Sequence, residues 1–66
     1  MTNIPFSAEE TLKIAIEIEE NGRKFYEGMV PEVDDAKIAD VFKDLAKQEV
    51  LHKNTFEEML GEAESV

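Results

Sequence analysis

The sequence predicts an all-α protein: an antiparallel two-helix hairpin that pairs with a second copy to complete a four-helix bundle. Three observations predict it. Two long segments repeat apolar residues at helical spacing, and neither shows the alternation of a strand. A short link containing Pro31 separates them, which leaves room only for an antiparallel return. Finally, three ionisable residues, Glu19, Glu49 and His52, fall inside the apolar stripes rather than opposite them.

The elements follow in order. Ser7-Ala8-Glu9-Glu10 reads as a capping box, with Ser7 as N-cap and Glu10 reaching back to it. The first helix then runs over about residues 7–30 and stops at Pro31, which lacks a donor and clashes with the preceding turn. Asp34 and Asp35 stand where a second helix starts and complement its positive end. That helix runs over about residues 34–60, with Gly61 as its C′ residue and Gly61–Val66 as a frayed acidic tail. Each helix is about 35–40 Å long at 1.5 Å per residue. Residues 1–66 form one domain, with no internal repeat or low-complexity stretch.

A chain of 66 residues lies near the lower limit for burying a useful core alone. It has no cysteine, so neither a disulfide nor a thiolate zinc site can staple it. Good helix packing, a metal or oligomerisation must do that work instead. The 16 acidic and 7 basic residues give a net charge of -9 with no basic stripe, which argues against a nucleic-acid partner. MTNIPFSAEE lacks the basic and apolar segments of a signal peptide, and no apolar run approaches a membrane span. A soluble, cytoplasmic protein without a membrane partner is expected.

The helical wheel separates the acids. At about 100° per residue, Leu12, Ile14, Ala15, Ile16, Ile18, Gly22, Phe25, Tyr26 and Met29 share one broad face with Glu19. Glu17 and Glu20 fall on the opposite, solvated side with Glu9, Lys13, Lys24 and Glu27, and Arg23 lies at the margin. On the second helix Ile38, Val41, Phe42, Leu45, Phe56, Met59 and Leu60 make a stripe that includes Glu49 and His52. Val50 and Leu51 point outward, as plain surface or as a secondary contact between subunits.

Taking a carboxylate out of water costs several kcal/mol unless a partner compensates. No inward Lys or Arg is available to Glu19 or Glu49, so a bound cation resolves the conflict. Glu oxygen and imidazole nitrogen suit divalent iron and manganese. The i, i+3 spacing of Glu49 and His52 sets both over one turn. A Glu-x-x-His on one helix facing a Glu on another is half the ligand set of a di-iron carboxylate bundle. A structural polar layer is the other reading of the same three residues. Tyr26, two turns beyond Glu19, either bonds a ligand carboxylate through its hydroxyl or serves as a core aromatic. Gly22 costs roughly 1 kcal/mol of helix propensity relative to Ala. Its bare position on the core face points to a close helix approach or to room beside the site.

The run Ile14-Ala15-Ile16-Glu17-Ile18-Glu19-Glu20-Asn21-Gly22-Arg23-Lys24-Phe25-Tyr26, with Phe42-Lys43-Asp44-Leu45-Ala46-Lys47-Gln48-Glu49-Val50-Leu51-His52, resembles the first half of a rubrerythrin-type, ferritin-like protein. The resemblance spans nearly the whole chain. It implies that Glu19 and His52 are metal ligands, that Glu49 bridges or chelates both metals, and that Tyr26 matches the family's tyrosine near the site. No catalytic residue beyond the ligands is implied. Members of the family usually carry both halves of the bundle in one chain, and rubrerythrins proper add a cysteine-ligated module that these residues lack. The layout is similar to two-helix encapsulated ferritins, whose dimers share a di-iron site. Their cargo tail is not recognisable in Gly61-Glu62-Ala63-Glu64-Ser65-Val66, so encapsulation in a shell is unsupported.

The expectation is a homo-oligomer, at least a dimer, with two irons per dimer (manganese or another divalent metal in their place), oxidising Fe(II) to Fe(III) with oxygen or peroxide. The alternative is a non-catalytic helical dimerisation module or an N-terminal fragment of a longer rubrerythrin-like protein.

Overall fold

A computed structural model describes residues 6–65. The expectations for the first five residues and for Val66 lie outside that range. Two α-helices and a short link make up the fold, with no strand among the described residues. Helix α1 spans Ala8–Met29, a single 3-10 turn spans Val30–Glu32, and helix α2 spans Ala36–Glu64.

The caps form as their chemistry dictates. The Ser7 side chain accepts from the Glu10 backbone N–H at 3.0 Å, and the Glu10 carboxylate accepts from the Ser7 N–H at 3.3 Å. Pro31 falls in the 3-10 turn, where its missing N–H costs nothing to α1. Asp35, rather than Asp34, caps α2, its Oδ1 accepting from the backbone N–H of Lys37 and of Ile38.

The C-terminal boundary corrects the sequence expectation. Helix α2 continues through Gly61 to Glu64, and Gly61 has no positive φ, so it is no C′ residue. Glu62, Ala63 and Glu64 favour helix and outweigh one glycine. Ser65 closes the helix instead, its backbone N–H reaching the carbonyls of Gly61 and Glu62. Gly61 to Glu64 are therefore helix rather than frayed tail.

The helices are antiparallel. Glu19 meets His52, Glu20 meets Lys53 and Tyr26 meets Phe42, so partners descend along α2 as they climb along α1. The assembly of Cα atoms is 12 Å across its thinnest dimension, a single layer of helix. One layer cannot enclose a core, and Ala46 is the one buried hydrophobic residue among those described.

The broad apolar face of α1 consequently splits in two. Leu12, Ala15, Ile16, Glu19, Gly22, Tyr26 and Met29 are half-buried toward α2. Ile14, Ile18 and Phe25 form a second stripe that stays exposed, Phe25 at 62%. Helix α2 divides the same way: Phe42, Leu45, Ala46, Glu49, Phe56 and Leu60 pack inward, while Ile38, Val41 and Met59 are exposed. His52 belongs to that exposed stripe, 11 positions after Val41 and 7 before Met59, both close to whole turns.

The outward placement of Val50 and Leu51 agrees with the wheel. Val50 lines a shallow groove with Val30, Ala46, Glu27, Lys43 and Lys47, and Leu51 stands in solvent. None of the helices among the described residues is long and apolar enough to cross a membrane.

Candidate metal centre

Glu19, Glu49 and His52 converge. One ligand atom from each lies within 4.8 Å of the others. Helix α1 supplies Glu19, and one turn of α2 supplies Glu49 and His52. His52 Nδ1 is 3.4 Å from Glu19 Oε2. Glu19 is mostly enclosed, its side chain 18% exposed, whereas His52 reaches the open side at 57%.

The electrostatics of the cluster are unfavourable as it stands. With both carboxylates ionised, Glu19 Oε2 is buried without a hydrogen-bond partner, and the nearby imidazole does not meet it with bonding geometry. An orphaned carboxylate oxygen in a polar cluster is costly. Hydrogen bonding to Glu19, burial and the charge of Glu19 together hold the Glu49 carboxyl above its ordinary value of 4.5, with His52 pulling it partly back. Two carboxylates are thus forced together with no Lys or Arg between them. A divalent cation suits this donor set of two carboxylates and one imidazole, and it would satisfy the orphaned oxygen.

The available cations are engaged one residue away. Lys53 Nζ donates to Glu20 Oε2 at 3.0 Å, bridging the helices. Arg23 donates to both Glu20 oxygens and to Glu27 Oε2, the latter at 2.6 Å. Arg23 and Lys53 hold the Glu20 carboxyl down at about 2. This corrects the expectation that Glu20 is a solvated acid opposite the core. It sits at the seam, because the wheel of α1 alone could not show where α2 would lie.

Lys53 is a seam residue that the helical wheels do not single out, although the register carries a signal for it. A register that brings Glu19 to His52 also brings the next residues, Glu20 and Lys53, together. This pair marks one edge of the helix–helix seam. Gly22 and Glu49 mark the other edge, on the side that carries the exposed apolar stripes.

The family model described as Rubrerythrin matches residues 10–66. The chain belongs to the rubrerythrin family. Comparison with curated proteins and with solved structures gives no significant match.

The rubrerythrin match contains all three clustered residues, Tyr26 and all but the first two residues of α1. Tyr26 lies in an aromatic row, 5.6 Å from Phe25 and 6.2 Å from Phe42 between ring centroids. Among the described residues its hydroxyl makes no hydrogen bond to Glu19 or Glu49, and its observed contacts are those of a core aromatic.

Proposed function

We propose that this rubrerythrin-family chain holds a di-iron centre shared between two copies and oxidises Fe(II) there. The observation that carries the reading is the Glu19–Glu49–His52 cluster with its orphaned buried carboxylate oxygen. Family membership supports iron as the metal.

The exposed stripes support a partner copy. Ile14, Ile18, Phe25, Ile38, Val41 and Met59 lie on the side of the hairpin that carries His52. Pairing these faces about a two-fold axis covers the apolar surface and brings two half-sites together. Two Glu19, two Glu49 and two His52 would hold the metals. Four carboxylates match the four positive charges of two divalent irons, so the assembled centre needs no further counter-ion.

Bound iron would supply two electrons per pair, which with two protons reduce oxygen to peroxide or peroxide to water. The protein's part is to gather ligands, exclude bulk water and keep competing cations away. The Glu20–Arg23–Lys53 network serves the last of these. It fixes the helix register and holds both basic groups on acids other than the ligands.

Aerobic addition of Fe(II), followed by the absorbance of Fe(III), tests the activity. Oxidation well above the protein-free rate, lost in His52→Ala, is the expected result. A rate equal to buffer alone would leave a non-catalytic helical module.

A further inference from the structure

We infer that Gly22 is a positioning residue for Glu49: the space left by its missing side chain is where the Glu49 carboxylate sits. The inference rests on the metal-centre reading above and adds a residue that cannot itself bind metal.

Glycine in mid-helix weakens α1, so its presence requires a reason. Backbone conformation is not that reason, since no glycine has a positive φ. Space is. A Cβ built at Gly22 would lie 3.1 Å from Glu49 Oε2, 3.2 Å from its Cδ and 3.5 Å from its Cγ. The three nearest neighbours of that position thus belong to one side chain, and that side chain is a member of the cluster. Gly28, on the same helix, would meet nothing within 4 Å. The two glycines share a helix and have opposite surroundings.

The consequence for the cluster is specific. A carboxylate at the end of a flexible side chain can retreat a few tenths of an ångström from a methyl group without unfolding anything. It then leaves the place where its oxygens meet those of Glu19 and the His52 imidazole. Stability and metal affinity should therefore part company at Gly22, whereas at Gly28 only stability should change.

The test compares the unmodified chain with Gly22→Ala, Gly22→Leu and Gly28→Ala. Anaerobic calorimetric titration with Co(II) gives affinity, and metal-free melting and solution mass give folding and assembly. Gly28→Ala should bind Co(II) as the unmodified chain does. Gly22→Ala should bind about tenfold more weakly or worse, the scale on which misplacing a ligand costs affinity, and Gly22→Leu more weakly again. Both alanine variants should keep the helicity and mass of the unmodified chain and melt no lower without metal.

Equal Co(II) affinity in Gly22→Ala and the unmodified chain would overturn the inference and leave the metal centre standing. Loss of helicity or of assembly in Gly22→Ala would assign its effect to helix packing and overturn the inference as well. An unmodified chain that takes up no Co(II) would remove the metal-centre reading, and this inference with it.

Discussion

Glu49→Gln should lower divalent-metal affinity by at least about 100-fold, the upper end of what disturbing a ligand's support costs, while making the metal-free protein melt higher. The two effects share one origin. Glu49 is held above its ordinary value by Glu19 and by burial, so its ionised form is a liability until a cation arrives. Glutamine keeps the shape and an acceptor oxygen but removes the charge. His52→Ala should lose affinity to a similar degree without the gain in apo stability, since it deletes a donor and relieves no repulsion. Glu17→Gln, exposed on the far side of α1, should change neither quantity. Glu20 is not an equivalent control, because it bonds to Lys53 across the seam. Equal losses at Glu17 and Glu49 would refute the facing of the helices. Metal titration and thermal melting of the four proteins read all of this.

The second large effect is the coupling of metal to stability. Metal bound only by the folded, assembled form at about 100 times its Kd contributes about 2.7 kcal/mol. At the slopes usual for small domains this raises Tm by roughly 10–20 °C. The sign of its pH dependence follows from Glu49. A carboxyl whose folded value is raised stabilises the apo protein fully below 4.5, and that contribution is lost as pH rises through the folded value. Metal needs the ionised form, so the Tm gain on adding metal should grow with pH over the same range, with release of protons. Glu20 acts in a separate window. Held down at about 2, it contributes stability above 4.5 that is lost as pH falls from there toward 2. Melting curves with and without Fe(II), taken anaerobically across pH, separate the two groups. A gain independent of pH would argue against carboxylates as the ligands.

Much of this was legible from the residues. The caps at Ser7 and Asp35, the stop at Pro31 and the inward facing of Glu19 and Glu49 are local or single-helix properties, and those can be read from spacing, whereas His52, read into the same inward stripe, lies on the exposed one. What could not be read depends on where the second helix sits. Glu20 looked solvated because its partner, Lys53, is 33 positions away. Ile14, Ile18 and Phe25 looked like core because a wheel cannot tell how much of an apolar face one neighbour covers. Gly61 looked like a stop because glycine so often is one, yet the three residues after it carry the helix on. Gly22 announced only that space was needed, and the fold identified Glu49 as what fills it.

The central claim is a centre completed by two copies. Its most direct test is native mass spectrometry of the chain loaded anaerobically with Fe(II), which counts chains and metals in one particle. The account predicts two irons for every two chains, with no iron on single chains. Monomers carrying iron, or dimers carrying none, would contradict it.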